Sequence, residues 1–149
     1  MRVFLAISVV FVLLGAVAPA AESPFTGTWK ANESRGKGAR VVAMRIEVDD
    51  TELRIDYESI GAEGKRVQSK LRASFGGNLN GVIGSPEMDA VRCWRSDEHT
   101  ILIKMSRGAD TVGWQTLEVP KNGRTLRFTH ALVDARGKES KTVTSFERQ

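Results

Sequence analysis

Apolar and polar residues alternate one by one through most of the chain, the period of a strand with one face buried. Over Arg40–Val48, the residues Val42, Met44, Ile46 and Val48 share one face, with Arg45 and Glu47 on the other. Leu53, Ile55 and Tyr57 alternate with Arg54, Asp56 and Glu58. Val67, Leu71 and Phe75 then face away from Arg66, Gln68, Lys70 and Arg72. The same rhythm predicts strands over Phe25–Ala31, Ala90–Arg95, Thr100–Arg107, Thr111–Val119, Thr125–Asp134 and Glu139–Arg148. Asp49-Asp50, Ser96–His99, Gly108–Asp110, Lys121–Arg124 and Ala135–Lys138 separate them, and Asn122-Gly123 is the sharpest hairpin signal.

Two stretches fall outside the pattern. Asn32 to Gly38 is a polar, glycine-punctuated loop, too short and glycine-rich for a helix. Gly76 to Asp89, with its glycines, asparagines and Pro86, is the longest irregular stretch after residue 20. Ala62–Lys65 reads as a type I turn closed by a glycine bulge. The form x-Ala-x-Gly-Lys recurs at Gly61–Lys65 and Asp134–Lys138, as two hairpins with one turn chemistry require without duplication. About nine strands with hairpin-length connections and no helix predict an antiparallel meander that closes on itself to remove exposed edges. The fold class is therefore all-β, an up-and-down barrel of about eight to ten strands; the alternative is an open two-sheet sandwich.

The first twenty residues are of another kind. Arg2 is followed by an apolar run from Val3 to Leu14 interrupted only by Ser8, and then by Ala18-Pro19-Ala20. Charge, apolar core and a small-residue site in that order predict a secretory signal peptide cleaved after Ala20. An uncleaved anchor is the alternative, but the run is short for a span and Pro19 breaks it. The expectation is one barrel domain over residues 21–149, periplasmic or secreted, without stable membrane insertion after cleavage.

Charge adds little. The chain has 149 residues, 22 basic against 18 acidic, for a net charge of +4. The basic residues are interspersed with acidic ones, as in Glu63-Gly64-Lys65-Arg66, and no basic stripe with interleaved aromatics runs along the chain. Nucleic-acid binding is not expected. Cys93 is the single cysteine, so no internal disulfide forms. Arg92 and Arg95 beside it favour a reactive thiol, but alternation sets Cys93 opposite Arg92, and an inert strand thiol is the expectation.

Phe25-Thr26-Gly27-Thr28-Trp29-Lys30 opens the strand run with one glycine and one large aromatic. With Gly84-Ser85-Pro86, the glycine-lysine turns and the ending Thr144-Ser145-Phe146-Glu147-Arg148, the chain resembles small secreted bacterial lipocalin-like proteins of the lipocalin and fatty-acid-binding (calycin) group. The resemblance implies a barrel base formed by Gly27, Trp29 and a late basic residue, Arg148 or Arg127, lying on the indole. It also implies ligand binding inside the barrel. The Arg-x-Tyr pair by which fatty-acid binders hold a carboxylate is absent, because those positions are Thr144 and Phe146.

For chemistry, His130 sits on the strand face of Leu126, Phe128 and Leu132, as a ligand contact or as a satisfied core histidine. Arg92 shares a face with Trp94, and that face points either inward, as an anion partner, or into solvent. Trp114 and Gln115 carry the same ambiguity. A triad from Ser106, His130 and Asp110 can be written down but has no specific support, and neither histidine has metal-ligand spacing. No catalytic residue, metal or cofactor is expected.

The leading expectation is a non-enzymatic barrel for a small apolar or amphipathic ligand, with Arg92, His130, Trp94, Trp114, Phe128 and Tyr57 as contacts, and Phe75 and Met44 as further lining. A protein-binding or inhibitory module using Glu33–Gly38 and Gly76–Pro86 is the second expectation. An enzyme built in the cavity is the third.

Overall fold

The computed structural model describes residues 21–32 and 40–149. The leader expected over residues 1–20 and all of the first polar loop but Asn32 lie outside the described residues. Ten strands follow: β1 (Gly27–Ala31), β2 (Arg40–Val48), β3 (Glu52–Ile60), β4 (Arg66–Ser74), β5 (Asn80–Ile83), β6 (Ala90–Asp97), β7 (Thr100–Arg107), β8 (Asp110–Glu118), β9 (Thr125–Val133) and β10 (Glu139–Arg148). Each pairs antiparallel with its sequence neighbours, and β1 also pairs with β10, so the meander closes as a barrel. The open sandwich is thereby excluded.

The alternating pattern becomes the two faces of the wall. Met44, Ile46, Leu53, Ile55, Leu71, Val91, Ile101, Ile103, Met105 and Leu117 point inward and are fully or almost fully buried. Their neighbours in sequence, largely Arg, Lys, Glu, Asp and Thr, face outward. Burial of side chains this size stabilises by roughly 1.5–3 kcal/mol each relative to exposure, and with no disulfide it carries the fold.

The tenth strand is the one the pattern does not announce. β5 lies inside Gly76–Asp89 and is held by two register pairs on each side, Lys70↔Ile83 and Leu71↔Val82 with β4, Asn80↔Val91 and Gly81↔Ala90 with β6. Asn80 and Gly81 disfavour a strand and Val82-Ile83 is too short a run to announce one, so its neighbours make it a strand.

Turn chemistry follows expectation in one place and departs from it in another. Gly64 N–H donates to the Gly61 carbonyl and Gly137 N–H to that of Asp134, each at 2.9 Å, with both glycines at φ near +78°. One hydrogen-bond pattern thus explains the repeated Ala-x-Gly-Lys form. At Asn122-Gly123 the chain does reverse, but through a turn in which Gly123 N–H donates to the Pro120 carbonyl. The Glu118↔Arg127 pair bounds the reversal, so the loop is wider than a two-residue hairpin.

The barrel base is built as the first strand implies. Trp29 is completely buried and its indole N–H donates to the Phe25 carbonyl at 2.8 Å. The Arg148 guanidinium lies 4.4 Å from the centre of the indole ring. It donates to the carbonyls of Gly123 at 2.8 Å and Pro24 at 2.6 Å, and also to that of Thr26. Gly27 has φ +144°, and a Cβ there would stand 2.7 Å from Arg148 Nη1. The glycine is what lets the guanidinium reach across the first strand. Arg127, the other late cation considered, instead faces Glu118 on the outer wall at 3.8 Å.

Candidate functional site

Filling of the interior decides where a site can be. Above Trp29 the rings of Phe146, Phe128 and Tyr57 stack toward the other end. Phe128 meets Phe146 edge-on at 6.1 Å, and Tyr57 lies 6.5 Å from Phe128. The Tyr57 hydroxyl donates to Gln115 Oε1 at 2.8 Å, one of the few polar contacts inside the apolar stack. Burial pushes the Tyr57 phenol far above its ordinary value, so it stays protonated and donating. A hollow of about 700 Å³ lies outside the wall at the base, between Ala21–Pro24 and the β2–β3 and β6–β7 turns.

Among the described residues, the upper mouth holds two adjoining hollows of about 80 and 70 Å³, and a further one of about 330 Å³ lies along β2–β4 beside Met44, Tyr57 and Ser69. Arg40, Val41, Glu87 and His130 line both mouth hollows. Tyr57, Gln115, Ser59 and Ser69 add polar groups to the first, and Ser140, Thr142 and Thr144 to the second, which Phe128 also lines.

The segment between β5 and β6 folds over this mouth. Gly84, at φ +78°, passes so close to β4 that a Cβ would be 2.7 Å from the Gln68 carbonyl oxygen. Ser85 Oγ accepts from the backbone N–H groups of Glu87 and Met88, at 3.2 and 3.4 Å. The turn sends Met88 into the core, where it is 5% exposed. It also brings Glu87 beside His130.

His130 is the chemical centre of the mouth. Its ring meets Phe128 edge-on at 5.9 Å, and its register partner is Gln115. Nε2 lies 3.4 Å from Glu87 Oε2, an ion-pair distance for a protonated ring. Yet among the described residues no hydrogen bond of acceptable geometry reaches this buried nitrogen. A contact of 3.4 Å without hydrogen-bond alignment leaves Nε2 unsatisfied. Burial lowers the imidazole pKa below 6.5, and the Glu87 carboxylate opposes that shift. The ring is therefore neutral at neutral pH, with a nitrogen directed at the hollows.

Other expected contacts lie elsewhere. Arg92, Trp94 and Trp114 stand on the outer face, opposite the inward Val91, Cys93, Gly113 and Gln115. They are not in the interior, and the faces left open by alternation resolve this way. Arg92 donates to the Gly77 carbonyl at 2.7 Å, and Trp114 is 41% exposed under the Lys104 ammonium. Phe75 is at the base, 4.8 Å below Arg95, and Met44 is buried in the wall's inner face. Tyr57, Phe128 and His130 are the expected contacts that meet at the mouth.

Glu87, Arg40 and the mouth hydroxyls carry no pattern by which sequence reading would single them out; barrel closure gathers Arg40 and the hydroxyls from β2, β3, β4 and β10, and the covering loop adds Glu87. The triad residues are not brought together: Ser106 faces outward on β7, while His130 faces inward. Cys93 is buried in the interior, where desolvation pushes its thiol up to about 12 despite the nearby Arg95. Among the described residues no group of three or more His, Cys, Asp or Glu side chains is arranged to hold a metal ion.

The architecture is an all-antiparallel, ten-stranded closed barrel, consistent with a calycin-like fold, with a covered mouth at one end. Comparison of the sequence with protein-family models and with curated proteins finds no match.

Proposed function

We propose that the protein is an exported, lipocalin-like binding barrel whose ligand is a small amphipathic molecule held at the mouth by His130. One observation carries this reading: a buried histidine nitrogen without a hydrogen-bond partner, at the junction of two hollows with an aromatic floor. An unsatisfied buried polar atom costs about 1–3 kcal/mol, and a ligand hydroxyl or amine that pairs with it recovers that cost. Size limits the choice. An apolar cavity of about 150 Å³ accommodates a single aromatic ring, so hollows of 80 and 70 Å³ suit a ring-sized body with a polar edge. They do not suit an extended acyl chain. Phe128 and Tyr57 supply the apolar floor, and Glu87, on the covering loop, a second polar contact.

Native mass spectrometry of protein isolated from its own host, followed by thermal-shift screening of the recovered molecule, tests the reading. A co-purifying ligand that stabilises the wild type and not His130→Ala is the expected result. Protein that is consistently empty, or that is stabilised equally in both forms, refutes it.

A protein-binding module of the cell envelope is the second reading. It is supported by Leu79 and Ile83, which stand 57% and 74% exposed in the segment around β5.

A further inference from the structure

The outer wall has two unlike sides. On β2–β4 charges of both signs interleave: Arg45↔Asp56↔Lys70 run across the strands, and Glu47 and Glu52 bind Arg54 and Arg72, which face each other in register. That side is an ionic lattice compensated within itself. On β6–β10 the register assembles something else. One row across the five strands reads Arg92, Lys104, Trp114, Ala131, Lys141. The row beneath it reads Trp94, Leu102, Thr116, Thr129, Val143. Ten adjoining positions thus hold three cations, five apolar side chains and no carboxylate. Among the described residues, no carboxylate lies within ion-pair distance of Lys104 or Lys141. Trp114 and Val143 are 41% and 49% exposed, so two of the five apolar side chains face solvent among the cations.

We propose that this face is a docking surface for an anionic lipid surface. Five of the barrel's ten strands, spaced about 4.8 Å apart, carry the patch over roughly 19 Å of the curved wall, a convex surface rather than a groove. Indoles prefer the headgroup layer, where one edge is wet and the ring is not, and cations near an anionic leaflet each contribute attraction. Charge complementarity selects an anionic occupant, and the aliphatic members select lipid among anionic occupants. Leu102 and Val143 can sink between acyl chains but offer nothing for a nucleobase to stack on. One face of Trp114 is already taken by the Lys104 ammonium, 5.5 Å from the ring centre. This surface lies on the opposite side of the wall from the mouth contacts, so it stands or falls independently of the ligand reading.

The test uses protein recovered from cells expressing the full chain, with vesicles of phosphatidylcholine alone or with a quarter phosphatidylglycerol. Binding is followed by co-sedimentation and by quenching of tryptophan with brominated lipid. The expected result is preferential binding to the anionic vesicles, quenched through Trp114. Lys141→Gln should weaken partitioning about fivefold, and Lys104→Gln with Lys141→Gln about twenty-five-fold. Trp114→Ala should remove most of the bromolipid quenching, and His130→Ala should change neither. All four proteins should share the wild-type urea midpoint within error, apart from any shift at His130. Variants that partition like the wild type overturn the proposal. So does a protein that ignores vesicles but binds single-stranded oligonucleotide or an acidic protein through the same residues.

Discussion

Arg148 at the base is where one substitution reaches most of the fold's closure. Its guanidinium joins three chain segments, through the carbonyls of Pro24, Thr26 and Gly123, while lying on the buried Trp29 ring. Each charge-assisted hydrogen bond at this solvent-facing site is worth about 0.5–1 kcal/mol, below the buried range, and the cation–π contact adds about 0.5–1 kcal/mol. Arg148→Ala should therefore cost about 3 kcal/mol. Gly27→Ala carries two penalties, a φ of +144° that alanine adopts only with strain and a Cβ 2.7 Å from Arg148 Nη1. The first is about 1–2 kcal/mol and the second about as much again. Only the second depends on Arg148, so in the Arg148→Ala background Gly27→Ala should cost about 1–2 kcal/mol less. Urea unfolding of the wild type, both single variants and the double variant, read by tryptophan fluorescence, closes the cycle. Strictly additive costs would refute the claim that the glycine exists to admit the guanidinium. An Arg148→Ala loss under 0.5 kcal/mol would refute the role of the base itself.

Three further outcomes follow from the interior. Tyr57→Phe leaves Gln115 Oε1 buried without its donor and should cost about 1–3 kcal/mol in urea, whereas Tyr57→Phe with Gln115→Leu should recover part of that loss. The Cys93 thiol, moved from 9.0 to about 12, should react with iodoacetamide at pH 8 roughly a thousandfold more slowly than an unperturbed thiol, and denaturant should abolish the protection. Burial holds the His130 pKa below its unfolded value of 6.5, so the neutral ring's contribution is complete above that pH and is lost as pH falls through the lower folded value. Melting temperatures from pH 7.5 to 5 should fall more steeply for the wild type than for His130→Gln; parallel curves would show that Glu87 has cancelled the effect.

Local patterning was enough for the wall and for the base. Alternation marks most of the strands, clearest in β2, β3 and β4, because a closed barrel buries one face of each, and the period of two survives whatever the neighbours are. Gly27 and Trp29 are legible for a similar reason: a tight crossing and a buried indole need those residue types. β5 is not legible, since two pairs on either side, rather than propensity, hold it extended. The mouth is only half legible. Tyr57, Phe128 and His130 share a face with core residues, but Glu87 and Met88 come from a glycine- and proline-bearing loop whose path is set by the walls it crosses.

The residues alone determined hairpin-linked antiparallel strands and Trp29 as the buried plug, because burial period, turn chemistry and side-chain size are local properties; closure into a barrel rather than an open sandwich was settled by the pairing of β1 with β10. Which face of β6 and β8 looks inward was a tertiary decision, since Val91 and Cys93 compete with Arg92 and Trp94 on nearly equal terms until the barrel closes. The basic and aromatic wall is a stronger case. Arg92, Lys104, Trp114 and Lys141 lie far apart along the chain, separated by acidic and polar stretches, and no linear stripe exists. Strand register sets them in one row, and only a folded sheet has rows.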